Sequence, residues 1–319
     1  MLRKNWIRWA SALVLLLAAF ALAHALDNSR WGAGYFPDVE LTTQDGQKVK
    51  FYSDLLKGKI VAIDLIYTHC VDACPLETAR LVQVQRKLGE RVGKDIFFYS
   101  ISIDPKRDTP EVLKAYAEKY HVGPGWLFLT GKAEDIELIS RKLGLYSEAN
   151  PNNRDGHSPS VLIGNQTTGQ WVRGSATDNP AFLAMMIGSF MTSGTGRPAA
   201  KQVQSYADAP GIKLDQGRYL FSTQCAACHS IGQGDKIGPD LLGVTTVRDR
   251  AWLTRFIQAP DKILQDGDPI ATALFKKYKQ VQMPNLRLGD ADTAALIGFL
   301  ESQSTAAAVH QPAEDGPHR

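Results

Sequence analysis

Cysteine is scarce in this chain. Its 319 residues contain four, in two close pairs: Cys70 with Cys74, and Cys225 with Cys228. A small exported domain held together by structural disulfides would show more cysteines at longer spacings, so each pair reads as a separate piece of chemistry. A strong charge of one sign is lacking too. The 36 Lys and Arg barely exceed the 33 Asp and Glu, a formal net charge of +3, so no nucleic acid or other polyanionic partner is expected. A full-length apolar span is also missing: the N-terminal run from Trp9 to Ala25 has 17 residues and includes His24, whereas crossing a bilayer takes about 20. No internal repeat is present, which excludes a solenoid.

The length exceeds the usual single-domain size, and two compact domains with terminal segments are expected. At the N-terminus, Arg3, Lys4 and Arg8 precede the apolar run, which ends in Ala-Leu-Ala-His-Ala at 21–25. That is the layout of an export signal, with Ala23 and Ala25 supplying small residues for cleavage after Ala25. Kept instead, residues 1–25 would form a membrane anchor through a tilted or thinned-bilayer span. Either way the bulk of the chain is expected in the periplasm or on the outer face of the inner membrane.

Residues 26–191 alternate strand and helix signals. Val39–Leu41 and Val49–Phe51 flank a turn-rich stretch and read as a hairpin. Ile60–Tyr67 and Ile96–Ile103 are continuous apolar runs suited to strands buried on both faces. Helices are predicted over Pro75–Leu88, from Thr109-Pro110 to Tyr120, over Ala133–Leu143 and over Pro180–Met191, with a short strand at Trp126–Leu129 and a late hairpin from Ser160–Gly164 and Gln170–Arg173. This pattern predicts an α/β, three-layer, thioredoxin-like domain. Residues 192–211 lose apolar period and read as a flexible linker. Over 212–303 the pattern is all-α, with helices predicted at Asp215–Ala226, Ala251–Gln258, Ala271–Tyr278 and Asp290–Leu300. Residues 304–319 read as a disordered tail.

Cys225-Ala-Ala-Cys228-His229 is a Cys-x-x-Cys-His sequence, the attachment pattern of one covalent c-type haem: two thiols reach the two vinyl groups on one porphyrin edge, and the next histidine comes under the iron. A zinc site would need a second ligand pair that this segment lacks. Together with Gly238-Pro239-Asp240-Leu241 and Met283-Pro284-Asn285, the motif makes the segment resemble class I cytochrome c. The resemblance implies that the Pro239 carbonyl orients His229 and that Met283 is the second axial ligand, with His310 as the fallback. Such His/Met ligation fills both axial positions and favours electron transfer over oxygen chemistry.

Thr68-His69-Cys70-Val71-Asp72-Ala73-Cys74-Pro75 lies where a buried strand gives way to a helix. Amide N–H groups and the positive end of the helix dipole there are expected to lower the thiol pKa values. Thiols four apart can converge on one metal ion or on each other. With the stretch from Ser100 to Pro110 and with His157-Ser158, this segment resembles the Sco/SenC family of copper-binding thioredoxin-like proteins, which help assemble the copper centre of cytochrome c oxidase. The resemblance implies one copper ion held by Cys70, Cys74 and His157. His69 is expected to point away from the sulfurs. Tyr67, Asp104 and Asp108 read as core packing, strand-end capping and helix capping respectively.

The expected function is a copper chaperone and thiol redox protein, whose partners are the copper-centre subunit of cytochrome c oxidase or another exported cuproprotein, and an electron donor or acceptor protein. The alternative is a thiol-disulfide reductase or peroxidase that uses Cys70 and Cys74 as a redox dithiol and exchanges electrons through the haem domain.

Overall fold

The structure is a computed structural model, and it describes residues 31–70, 74–145, 159–192 and 215–309. The predicted export signal, most of the linker, Val71–Ala73, His157 and His310 lie outside the described residues.

The first domain is built on one seven-stranded sheet. Its strands are β1 (Glu40–Thr43), β2 (Lys48–Lys50), β3 (Ile60–Ile66), β4 (Ile96–Ser102), β5 (Trp126–Gly131), β6 (Ser160–Asn165) and β7 (Gln170–Ser175), in the order β2-β1-β5-β4-β3-β6-β7. The central β3, β4 and β5 run parallel, and β6 and β7 add antiparallel on the β3 side. Helices α1 (Cys74–Leu88), α2 (Pro110–Lys119), α3 (Ala133–Leu143) and α4 (Pro180–Met185) cover the sheet. Both faces are dry because β3 alternates between them: Ile60, Ala62 and Ile66 enter one apolar cluster, and Val61, Ile63 and Leu65 the other. The predicted thioredoxin-like, three-layer arrangement is what forms. The hairpin and the α3 prediction hold, whereas two elements differ. Phe51, read as the end of a strand, instead opens a π-helix over Phe51–Leu56, and the helix from Pro180 changes to π geometry over Met186–Phe190.

The second domain is all helical. Its elements are α5 (Gln216–Leu220), continued by a π turn over Phe221–Cys225, then α6 (Val244–Val247), α7 (Arg250–Gln258), α8 (Pro260–Gln265), α9 (Pro269–Lys277) and α10 (Asp290–Val309). The short α6 and α8 carry too few residues to show a period and were not predicted. The tail prediction needs correction at its start: α10 runs on through Val309, since Ser304 to Val309 include three alanines and no glycine or proline to stop a helix. A core of Leu220, Trp252, Leu253, Ile257, Leu296, Ile297 and Leu300 joins α5, α7 and α10.

Helices α5 and α10 cross at Gly217, which has no room for a side chain: a Cβ there would strike the Ala295 carbonyl oxygen and lie 2.6 Å from Phe299 Cβ. Gly217→Ala gains up to about 1 kcal/mol of helix propensity, but overpacking a closed crossing costs about 1–3 kcal/mol. With backbone as the obstacle, the collision wins. The expected outcome is a fall in the thermal midpoint of the second domain on the order of 10 °C, followed by far-ultraviolet circular dichroism.

Candidate functional site

The first thiol pair sits at the C-terminal end of β3, on a loop anchored from below. Thr68 donates its backbone N–H to Asp108 Oδ2 at 3.1 Å and its hydroxyl to Oδ1 at 2.6 Å, while Ser102 Oγ donates to Oδ2 at 2.5 Å. Asp108 is fully buried, so these bonds, rather than helix capping, account for it. His69 is drawn off the loop by Asp104, with 3.7 Å between Nε2 and Oδ2, and by the Tyr67 ring at 4.8 Å between centroids. The expectation that His69 points elsewhere agrees with those contacts.

Cys74 opens α1 and is completely buried, and Cys70 is 7% exposed. Both are thiols. The expected lowering of their pKa values is corrected for Cys74: its hydrogen bond with Cys70, its burial and the negative charge of Cys70 and Glu77 push it well above the usual thiol range. The helix dipole loses to a dry, acidic surrounding. Sequence reasoning missed the source of that acidity. Asp64 sits on the α1 side of β3, accepts from Ser100 Oγ at 2.7 Å and has Trp126 Nε1 bonded to the same hydroxyl at 2.9 Å. Glu77 lies within its field, fully buried, with no hydrogen bond to either carboxylate oxygen. Burial, then Asp64 and Cys70, push the Glu77 carboxyl well up, toward its neutral form. A lone aspartate inside the apolar run IVAIDLIY was the available signal for Asp64; Glu77 gave none, because a glutamate in a first helical turn reads as a partner of the dipole.

Two thiols that become thiolates suit a soft cation such as Cu(I). Among the described residues no third side chain of the His, Cys, Asp or Glu type completes a metal cluster with them.

The second thiol pair borders a cavity of about 370 Å³ that is lined by Cys225, Cys228, His229 and Met283 with apolar walls from Leu241, Trp252 and Leu296. His229 Nδ1 is 2.8 Å from the Pro239 carbonyl oxygen, which assigns the proton to Nδ1 and leaves Nε2 as the donor atom for a metal. Gly238 keeps that geometry open, since a Cβ there would stand 2.7 Å from the ring. Burial holds the imidazole below its usual pKa against the opposing pull of Pro239, so it is neutral, as a ligand must be. The next loop is wrapped around Asp240, which accepts from the N–H groups of Gly232, Gln233, Gly234 and Leu242 at 2.7–2.8 Å and from Ser230 Oγ at 2.7 Å. Burial opposes its ionisation, but these bonds outweigh it and hold the carboxyl far below the usual range. Burial pushes the Cys225 and Cys228 thiols up to about 12. The apolar walls, the paired thiols, the oriented neutral histidine and a thioether in one cavity fit a covalent haem.

The two sites meet along α1. Pro75, next to Cys74, lines the same cavity as His229 and Met283. Ala227 and Cys228 belong to the apolar cluster that contains Leu76, Ala79, Tyr116 and Tyr120 of the first domain. The rings of Tyr116 and Tyr120 are 4.7 Å apart, and the Tyr116 hydroxyl is 3.0 Å from Thr78 Oγ1. The domains, between which residues 192–211 read as a flexible linker, are packed together.

Comparison with known proteins agrees with this division. The SCO1/SenC family model matches residues 32–185, and the Cytochrome c model matches residues 214–304. A SCO2-like protein of Rickettsia prowazekii is 36% identical over 117 residues, 36% of this chain and 55% of that protein. The mitochondrial SCO2 homolog of Bos taurus is 38% identical over 103 residues, 31% of this chain and 37% of that protein. The chain thus spans about half the length, or less, of these curated relatives. Among solved structures, copper-bound ScoI of Bradyrhizobium japonicum is similar at 28% identity with a TM-score of 0.39, covering 47% of this chain and 94% of that one. Residues 32–185 are an SCO1/SenC domain and residues 214–304 a cytochrome c domain, joined in one chain.

Proposed function

We propose that this chain is an exported copper chaperone that carries its own one-electron redox partner. Copper is its cargo, held by Cys70, Cys74 and His157 and delivered to the copper centre of cytochrome c oxidase or a similar exported cuproprotein. The single observation that carries the reading is the shared wall: Pro75, adjacent to Cys74, lines the cavity that holds His229 and Met283. A c-type haem bound there supplies one electron per turnover, which matches Cu(II)/Cu(I) cycling and not the two electrons of a dithiol. The fully buried Cys74, pushed toward its neutral thiol, is a poor nucleophile for disulfide exchange, which counts against the reductase alternative. Cys225 and Cys228 would hold the haem, His229, its ring fixed by the Pro239 carbonyl, would ligate the iron, and Met283 would supply the second iron ligand. Export to the periplasm or the outer face of the inner membrane, cleaved or anchored at residues 1–25, rests on the N-terminal signal layout.

Three outcomes are expected. Met283→Ala removes the near-infrared charge-transfer band of a ferric thioether-ligated haem; a wild-type protein without that band refutes the axial assignment. For copper, anaerobic titration should give one ion per chain, lost in a Cys70→Ala, Cys74→Ala double variant and weakened about 10-fold or more in His157→Ala. Mixing the reduced protein with Cu(II) in a stopped-flow instrument should oxidise the haem at a rate independent of protein concentration and absent in Cys70→Ala. Copper retained by the double variant, or a rate that scales with protein concentration, would overturn the reading.

A further inference from the structure

Helix α1 is buried nearly all round: from Cys74 to Val82 every residue is inside. A helix on the face of a sheet normally leaves one side in water, so the polar side chains of α1 have to find partners elsewhere. Thr78 meets Tyr116, and Gln85 bonds the backbone of Gly123 and Pro124 at 2.9–3.1 Å. Arg80 and Gln83 turn instead to the second domain. The Arg80 guanidinium, on a residue only 4% exposed, donates to the carbonyl oxygens of Ser222, at 3.1 Å, and Thr223, while Gln83 Nε2 donates to Ala226 at 3.3 Å.

Those acceptors are the open end of a helix. The Ala226 N–H bonds back to Phe221 at 2.8 Å in a π turn, and the His229 N–H bonds to Cys225 at 2.9 Å, so the Ser222 and Thr223 carbonyls face outward at the negative end of the helix dipole. A cation is the complementary cap for that end, and here it comes from another domain. No carboxylate forms an ion pair with Arg80 among the described residues, and its Nε is buried without a hydrogen-bond partner. The charge therefore stays largely uncompensated, and its field reaches Cys228 and Cys225.

We infer that Arg80, assisted by Gln83, is the positioning residue that clamps the haem-attachment turn onto the helix bearing Cys74, and that its buried charge favours the ferrous state of a haem held there. The clamp acts through backbone carbonyls, and Arg80 is not among the residues that line the cavity beside Cys225 and Cys228. The charge acts through space: in a dry junction a nearby cation stabilises the oxidation state with one positive charge fewer. The inference rests on haem attachment at Cys225 and Cys228, and it stands apart from the copper reading.

The test compares the full haem-loaded chain, without copper, with Arg80→Met and Arg80→Lys. Met removes both fork and charge, whereas Lys keeps the charge and loses the fork. Losing charge-assisted bonds to carbonyls should speed hydrogen exchange at the amides of residues 226–229 by about tenfold or more in the Met variant, and less in the Lys variant. In a redox titration the Met variant should lose about tenfold in its ferrous-to-ferric ratio at a fixed solution potential, with Lys restoring most of it. A role confined to packing would not produce that rescue. Lys87→Ala, at an exposed position of the same helix, is the control and should match wild type in both measurements. Unchanged exchange and potential in Arg80→Met, or a Lys variant whose potential falls with that of Met, would overturn the inference. Failure of copper to bind would refute the chaperone reading while leaving both measurements intact.

Discussion

Helix α1 is pressed between two dry surfaces, the sheet on one side and the haem-attachment turn on the other, and most of the molecule's chemistry is set by that confinement. Its first residue is Cys74, its second lines the haem cavity, and Arg80 in its second turn grips the carbonyls that precede Cys225. Burying a helix on both sides is costly unless every polar group along it is satisfied. Thr78, Gln83 and Gln85 are each hydrogen-bonded to a different element, and Arg80 to the second domain. Arg80 Nε and the Glu77 carboxyl are left without a partner, and Glu77 meets the cost by staying neutral instead of by bonding.

The same confinement explains the balance of charge around the two sites. Below the first thiol pair lie two carboxyl groups: Glu77 adds to the Cys70 hydrogen bond and the burial that lift Cys74, and Asp64 in turn adds to the burial that lifts Glu77. A divalent or monovalent metal cation would reverse that balance, because ligand thiols give up their protons to it. About one turn further along the same helix lies a cation, Arg80. The acid under one centre and the base beside the other, Glu77 and Arg80, are separated by about one helical turn.

Much of this was legible in the sequence. The strands of the parallel core announced themselves as unbroken apolar runs, and Thr109-Pro110 marked the start of α2, where the structure has Thr109 accepting from the Val112 N–H. The haem motif, Pro239 and Met283 were separated by up to 58 residues in the sequence, yet they face one cavity, because the short helices between them fold around it. What stayed hidden follows from the way single residues are read. Asp108 looked like a capping residue because it precedes a helix; its carboxylate turns back to Thr68 instead, a contact that depends on β3 and β4 being neighbours. Arg80 carried no signal of its own, since nothing in a window around α1 reveals that a second domain will cover it. The π turn over Phe221–Cys225 likewise depends on tertiary packing and leaves no periodic trace.

The way Arg80 caps a helix from the other domain bears on how such a chain can be recombined. Domains joined by a tether alone can be exchanged like beads, because each brings its own finished surface. Here the surface of the first domain is unfinished: α1 presents an apolar strip and a buried guanidinium that only a helix end with outward carbonyls at the right place completes. A substitute cytochrome with the same haem motif but an ordinary helical turn before it would leave that guanidinium facing nothing. Shuffling is therefore restricted to partners that match a backbone shape, which ties the two halves of this chain to a common history more tightly than the length of the segment between them would suggest.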